Sequence, residues 1–107
     1  MNILDAMDDI VTNERGGKQA HIASRLTLMP PKAMLAVGEV LAKGAKKYGI
    51  DNWKLISWQE HADHALEHIY KHLKGEGGEP HIAHFTCRAM MALEMYLEEQ
   101  EADNGTI

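Results

Sequence analysis

Six of the seven histidines of this chain lie within one short stretch of the sequence, residues 61–84. Histidine is the side chain most often used to ligate metal ions and to transfer protons near neutral pH. We therefore expect this stretch to carry the chemistry of the protein. Its histidines stand at positions 61, 64, 68, 72, 81 and 84.

The first four of these histidines follow the period of an α-helix, with separations of three, four and four residues. They therefore lie along one side of a helix, beside its apolar stripe. On the following predicted helix, His81, His84 and Arg88 share one narrow face. Only residues 75–79 separate the two helices, and so short a connection forces an antiparallel pair. We expect His68 and His72, at the end of the first row, to approach this face.

Pairs of imidazoles on one helix face are typical of metal sites. No HExxH or CxxC pattern accompanies them, so the ion stays open between Mg²⁺, Mn²⁺ and Zn²⁺. The candidate ligands are His64, His68, His81, His84 and, on the preceding helix, Glu39. His68 and His84 are also candidates for the base that activates a water molecule. The alternative is that these histidines are solvated or hydrogen-bonded structural residues.

Arg88 is the only cation on the second face, and burying it without an anionic partner would be costly. Its partner is either an acidic side chain, for which Glu39 is best placed in the sequence, or a ligand phosphate. Lys18 is a second candidate cation for such a phosphate. The rings of Tyr48 and Trp53 are candidates for stacking on a purine, with a hydrophobic plug on the connector as the alternative.

Three helices must position these residues, and the sequence marks their ends. Pro31 suits the first turn of the first helix, and Ser57 with Glu60 three residues later is a capping-box pattern. A glycine-rich break ends the second helix, and Pro80 opens the third. We predict these helices at residues 31–48, 57–74 and 80–100.

The remaining segments give weaker patterns. Residues 1–12 are predicted to form an N-terminal arm, helical or frayed, and residues 13–24 a loop or a hairpin-like excursion. Residues 101–107 are a polar tail. The predicted fold is therefore all-α, a small bundle of three main helices with an irregular N-terminal segment, and residues 1–107 are predicted to form a single helical domain.

Composition excludes several classes of protein. The chain has 107 residues, 45% of them hydrophobic, and a net charge of −5, which suits one folded domain rather than a disordered segment. The excess of Asp and Glu over Lys and Arg argues against binding a nucleic-acid polymer. No apolar run approaches the roughly 20 residues of a membrane span. A single cysteine fits a reducing compartment, so we expect a cytoplasmic protein that does not bind membranes.

The third predicted helix is apolar over most of its circumference. A chain of this length has too few other elements to cover such a helix, and an uncovered apolar surface favours self-association. We therefore predict a homo-oligomer. The residues expected at the contact are Met90, Met91, Leu93, Tyr96 and Leu97.

Four segments of the sequence, taken in order, resemble a known family. They are VTNERGGKQ, LMPPKAMLAVGEVLAKGAKKYGIDNW, HADHALEHIYKHLKGE and HIAHFTCRAMMALE. The family consists of small, largely phage-encoded proteins named for the N-terminal domain of a dATP/dGTP diphosphohydrolase. The resemblance implies cleavage of a purine deoxynucleoside triphosphate to monophosphate and pyrophosphate, in the cytoplasm of an infected bacterium. The residues that carry it are Lys18, Gln19, Lys47, Tyr48, Asn52, Trp53, His64, His68, His81, His84 and Arg88, and it adds Asn52 to the candidate substrate ligands.

Three functions therefore stay open at the level of sequence. The first is the hydrolysis of a nucleotide that the resemblance implies. The second is binding of a nucleotide or signal nucleotide without cleavage, which is favoured because paired carboxylates that would hold Mg²⁺ are scarce here. The third is a purely structural or host-protein-binding helical protein with a histidine-rich surface.

Overall fold

The computed structural model of the chain describes residues 9–105. Helices occupy 69% of them, and the single sheet has two short strands. The predicted fold class, an all-α bundle of three main helices, is confirmed. The elements are the strands β1 (Ile10–Thr12) and β2 (Lys18–Ala20), the helices α1 (Pro31–Tyr48), α2 (Trp58–Lys74) and α3 (His81–Gly105), and two 3₁₀ turns at Leu26–Leu28 and Asn52–Leu55.

Helix α1 begins and ends where its sequence predicts. Pro30 is extended, and its carbonyl accepts the first backbone hydrogen bond, from the Met34 N–H at 3.0 Å. At the other end Gly49 adopts φ 102°, a conformation that glycine tolerates best, and its N–H closes the last turn on Ala45 O at 2.8 Å. Val37 is the buried residue of this helix.

Ser57 is the N-cap of helix α2, as the Ser57–Glu60 pattern predicts. The Ser57 hydroxyl oxygen accepts a hydrogen bond from the Glu60 N–H at 3.2 Å, and the hydroxyl donates to the Glu60 carboxylate at 3.4 Å. The helix ends at Gly75, which is left-handed at φ 85°. The N–H of Gly75 bonds to His72 O, and that of Glu76 bonds to Lys71 O, which is the Schellman arrangement.

Helix α3 extends further than expected, to Gly105 instead of about residue 100. Part of the segment assigned to a polar tail therefore continues the helix. Glu101 and Ala102 are good helix formers, and no glycine or proline interrupts the helix before Gly105. Residues 106 and 107 lie outside the described part of the chain.

Helices α2 and α3 form an antiparallel pair. The start of α2 meets the middle of α3, where the rings of Trp58 and Tyr96 pack edge to face with centroids 5.7 Å apart. The end of α2 meets the start of α3, where the rings of His68 and His81 are 5.3 Å apart. Helix α1 packs against α3 over a smaller area. The three helices leave an open space beside the pair.

Residues 10–20 form a β-hairpin, so residues 10–12 are a strand rather than part of a helical or frayed arm. Strands β1 and β2 pair antiparallel, with Ile10 opposite Ala20. The β-branched run of residues 10–12 favours a strand. Asn13 then fixes the turn, since its side-chain oxygen accepts hydrogen bonds from the N–H groups of Arg15 and Gly17 at 3.0 and 2.8 Å. The hairpin-like alternative for residues 13–24 is the one observed, and residues 1–8 of the predicted arm lie outside the described residues.

The described part of the chain is open and elongated. Its Cα radius of gyration is 18.4 Å, with principal extents of 53 × 40 × 26 Å. A compact domain of this length has a radius of gyration of about 13 Å. None of the helices within residues 9–105 combines the length and the apolar character that crossing a bilayer requires.

Candidate functional site

A cleft of about 950 Å³ opens between the second half of α1 and the α2–α3 pair. This volume is in the range of small-molecule sites, about 300–1,000 Å³. Helix α1 and the connector after it contribute one wall, which contains Tyr48, Asn52 and Trp53. The helix pair contributes the opposite wall. The predicted site residues on that wall are His64, His68, His84 and Arg88.

Three imidazoles meet where α2 ends and α3 begins. The Nδ1 atoms of His68 and His81 are 3.1 Å apart, and the rings of His68 and His84 are 5.0 Å apart. His81 is 4% exposed and lies behind the cleft wall, whereas the other two line the cleft. The short connection brings them together, as the helical spacing predicts. His72, one turn further along α2, is exposed and lies outside this group.

The carboxylate beside these imidazoles is Glu79. One of its oxygens lies 3.5 Å from His68 Nδ1 and 3.3 Å from His81 Nδ1. Glu79 was not among the predicted site residues, because it lies in the predicted interhelical break. The signal that could have identified it is its position two residues before His81, directly ahead of Pro80.

Glu39, the carboxylate expected at the site, lies elsewhere. It is exposed on α1 and is not among the residues that line the cleft. It stands two positions after the buried Val37, about 200° around the helix, so the two side chains point in opposite directions. The proposed competition of Glu39 for Arg88 is therefore not observed.

Arg88 donates a hydrogen bond to a histidine and not to a carboxylate. Its Nη1 atom lies 3.0 Å from Nδ1 of His61, and Nε2 of the same ring lies 2.8 Å from the carbonyl oxygen of Trp53. A guanidinium only donates hydrogen bonds, so Nδ1 must accept and Nε2 must carry the proton. His61 is therefore a neutral imidazole that links the connector to α3.

The environment of His61 favours this neutral form. The ring is completely buried, and burial is the main reason that its pKa is lowered from 6.5. The nearby charge of Arg88 lowers the pKa further, while the hydrogen bond to Trp53 opposes the shift. The helical spacing predicted His61 beside the apolar stripe of its helix, but its complete burial and its contact with Arg88 were not predicted.

Burial also lowers the pKa of His68, and the neighbouring His84 adds to this effect. The Glu79 carboxylate acts in the opposite direction. A lowered pKa keeps the imidazole neutral near pH 7, with a lone pair available for a proton or a metal ion. Cys87 is buried, which raises the pKa of its thiol, so it is poorly suited to act as a nucleophile.

The wall formed by α1 and the connector presents aromatic and amide groups. Trp53 is half-buried, and its ring packs edge-on against His61 with centroids 6.4 Å apart. Tyr48 is 61% exposed, and Nζ of Lys47 lies 5.0 Å from the centroid of its ring. Asn52 stands beside Trp53 in the 3₁₀ turn. Lys18 is exposed on β2 and does not line the cleft.

The cleft carries more positive than negative side chains. The charged residues that line it are Lys43, Lys47, Arg88, Asp51 and Glu79. Asp51 lies 3.8 Å from Lys54, and Glu79 contacts the imidazoles. Among residues 9–105, no carboxylate lies within ion-pair distance of Arg88. The cleft is therefore suited to an anion, although the whole chain is acidic.

Comparison with known families gives one match. A family model described as dATP/dGTP diphosphohydrolase, N-terminal, matches residues 13–105. Neither the curated proteins nor the solved structures gave a match to this chain. The matched segment includes the hairpin turn, all three helices and every residue that lines the cleft.

Proposed function

The chain belongs to the dATP/dGTP diphosphohydrolase N-terminal family, and from this premise we propose that its cleft binds a purine deoxynucleoside triphosphate and hydrolyses it. The products are the deoxynucleoside monophosphate and pyrophosphate. The proposed setting is the cytoplasm of an infected bacterium, where the enzyme acts on the nucleotide pool.

The observation that carries this proposal is the lack of a carboxylate partner for Arg88 among residues 9–105. Its guanidinium lies in the cleft wall, and its contact in the described chain is a neutral imidazole rather than a carboxylate. Because His61 accepts only one of five N–H donors, the remaining donors and the full positive charge are available to a ligand. A phosphate group matches such a guanidinium in charge and in bidentate geometry.

The opposite wall supports recognition of the base. Trp53 and Tyr48 offer aromatic faces on which a purine can stack, and base–aromatic stacking contributes about 1–3 kcal/mol. Asn52 offers an amide donor and an acceptor to the edges of the base. Lys47, next to Tyr48, adds a cation at the same wall. The phosphates would then extend towards Arg88 and the histidines.

The proposed reaction is attack of water on the α-phosphorus. A bond forms between the water oxygen and that phosphorus, and the bond to the oxygen that bridges to the β-phosphorus breaks, which releases pyrophosphate. His68 or His84 accepts the proton of the attacking water, since both line the cleft and burial keeps His68 neutral. Arg88 stabilises the negative charge that develops on the phosphate oxygens.

One observation favours a second candidate, nucleotide binding without hydrolysis. The cleft contains two carboxylates, Asp51 and Glu79, and they stand on opposite walls. Mg²⁺ prefers oxygen ligands and is usually held by carboxylates together with substrate phosphates. A cleft without paired carboxylates is therefore also suited to a protein that sequesters a nucleotide.

Incubation of the purified protein with each dNTP separates the two candidates. Pyrophosphate release and bound nucleotide are measured in the presence of Mg²⁺, Mn²⁺ or Zn²⁺. Hydrolysis predicts release of pyrophosphate from dATP or dGTP, whereas sequestration predicts binding alone. Failure of every dNTP to bind contradicts both candidates.

Replacing Arg88 by Ala tests the residue on which the proposal depends. We expect nucleotide affinity to fall at least about tenfold, since hydrogen bonds to charged groups are each worth about 1.5–3 kcal/mol. Arg25→Ala is the matched control, because Arg25 is exposed and lies outside the cleft. Circular dichroism verifies that both variants remain helical. Unchanged nucleotide binding by the Arg88 variant would overturn the assignment of this cleft.

A further inference from the structure

We propose that His68, Glu79 and His81 bind a zinc ion through two imidazole nitrogens and one carboxylate oxygen. The fourth position of this ion is open on the side of the cleft. The proposed hydrolysis does not by itself specify such a site, and ion binding is tested here without nucleotide. If the hydrolysis is correct, the ion lies where it can contact a phosphate oxygen, and His84, which is not a ligand of the ion, is the base that accepts the proton of the water.

The distances among the three ligand atoms support a tetrahedral ion. Nδ1 of His68 and Nδ1 of His81 are 3.1 Å apart, and Oε1 of Glu79 lies 3.5 and 3.3 Å from them. Zinc bonds of about 2.0–2.1 Å place tetrahedral ligands about 3.3–3.4 Å from one another. The three atoms therefore form a triangle of the size of one face of a zinc tetrahedron.

The types of the ligand atoms restrict the choice of ion. Mg²⁺ and Ca²⁺ require oxygen ligands, and two of these three atoms are imidazole nitrogens. Imidazole suits zinc, copper, iron and nickel. Two histidines and a carboxylate also occur in octahedral iron sites, in which neighbouring ligands are about 3.0 Å apart with bonds of about 2.1 Å. The wider spacing observed here favours zinc.

The arrangement is difficult to explain by hydrogen bonding alone. Two Nδ1 atoms 3.1 Å apart can share one proton, and the ring that accepts this proton has no Nδ1–H left for the carboxylate. One Glu79 oxygen nevertheless approaches both rings. A cation at the centre would interact favourably with all three lone pairs at once.

The burial of His81 restricts which of its nitrogens can bind an ion. The ring is 4% exposed, and its Nε2 atom is buried and has no hydrogen-bond partner among the described residues. Nδ1 faces His68 and Glu79, so it is the atom through which His81 can bind an ion.

The three ligands are placed by the best-packed part of the molecule. His68 stands on α2, and His81 begins α3, so the antiparallel pair fixes the distance between them. Glu79 is joined to His81 by a backbone hydrogen bond of 2.9 Å across Pro80. Its side chain is 45% exposed, which leaves access for an ion from solvent, and it lines the cleft together with His68.

Metal content of the full chain tests the proposal directly. The protein is stripped with a chelator, titrated with Zn²⁺ and analysed for metal per chain, and a parallel sample is loaded with Co²⁺, whose visible spectrum distinguishes tetrahedral from octahedral coordination. We expect one ion per chain and a tetrahedral cobalt spectrum. Absence of stoichiometric zinc binding would overturn the proposal, and a preference for iron with an octahedral spectrum would overturn the choice of ion.

Matched variants locate the ion. His68→Ala and Glu79→Gln are expected to weaken zinc binding by at least about tenfold, as loss of groups around a metal does. The controls are His72→Ala and Glu76→Gln, since both residues are exposed and lie close in sequence to the proposed ligands. Equal zinc affinity in all four variants would refute the site. Arg88→Ala should lose nucleotide but retain zinc, so the two proposals fail separately.

Discussion

At the scale of single residues, histidines of one helix have different roles. His61 is completely buried and neutral, His68 shares a cluster with another imidazole and a carboxylate, and His72 is exposed. Their spacing places all of them on one side of α2. The roles differ because α3 covers the beginning of that side with Arg88 and the end with its own first turn.

The contact of His61 with Arg88 leads to a prediction for stability. His61→Phe retains a buried ring but removes the acceptor for Arg88 and the donor to Trp53 O. Leaving a buried polar group unsatisfied costs about 1–3 kcal/mol. We expect the free energy of unfolding, measured by urea denaturation at pH 7.5, to fall by about 2–4 kcal/mol. His72→Phe, at an exposed position, should change it by less than about 0.5 kcal/mol.

The same variant also tests how the free energy of unfolding depends on pH. The folded-state pKa of His61 is lowered below its unfolded value of 6.5, so the unfolded chain binds the proton more readily. The contribution of this residue to stability is therefore complete above pH 6.5 and decreases as the pH falls towards its folded-state pKa. The parent protein, studied without metal, should lose more stability below pH 6.5 than His61→Phe does. Parallel pH profiles would contradict this assignment.

At the scale of elements, the connection between α2 and α3 determines which histidines meet. Its Schellman arrangement depends on Gly75, which adopts φ 85° at the end of α2. A side chain at this position makes no steric contact, since nothing lies within 4 Å of a Cβ built there. The backbone conformation alone therefore makes glycine preferable.

Gly75→Ala tests this role of the backbone. A non-glycine residue in the left-handed region costs about 1–2 kcal/mol, so we expect a loss of about that size in the free energy of unfolding. Zinc affinity should fall as well, because His68 and Glu79 stand on either side of the turn. Gly77→Ala is the matched control: its Cβ also meets nothing within 4 Å, and its φ is not positive. Equal losses in both variants would exclude a special role of Gly75.

At the scale of the whole molecule, very little of the chain is buried. Among residues 9–105, the buried hydrophobic side chains are Val37, Ala65 and Cys87. Large apolar residues are exposed on all three helices, including Leu35 at 73%, Leu73 at 72% and Leu93 at 57%. An apolar surface of this extent is typical of a protein that binds another chain.

We therefore expect a homo-oligomer in solution, with α3 at the contact. Light scattering should give a mass at or above twice the 12.0 kDa of one chain. Of the residues predicted at the contact, Leu93 and Leu97 are 57% and 46% exposed, so Leu97→Glu should shift the protein towards the monomer. Leu55→Glu is the control, since Leu55 is exposed on the connector. A monomeric parent at micromolar concentration would refute this prediction.

The sequence by itself determined the local structure and which ends of α2 and α3 lie together. Caps and glycines marked α1 and α2 to within a residue, because the hydrogen bonds that end a helix involve near neighbours in the chain. The break at 75–79 brought His68 and His81 together, because so short a connection keeps the end of α2 next to the start of α3. Within residues 9–105, the polar residues 101–105 and the β-branched residues 10–12 were assigned to the wrong type of local structure.

Only the tertiary structure decided which partners these residues have. Arg88 contacts His61, 27 positions away, because the relative rotation and offset of α2 and α3 bring the two side chains together. The carboxylate at the histidines is Glu79, whereas Glu39 is exposed on α1 and does not line the cleft. Helical spacing fixes which residues share a face, but rotation and offset follow from the packing of many side chains at once, and no local pattern records them.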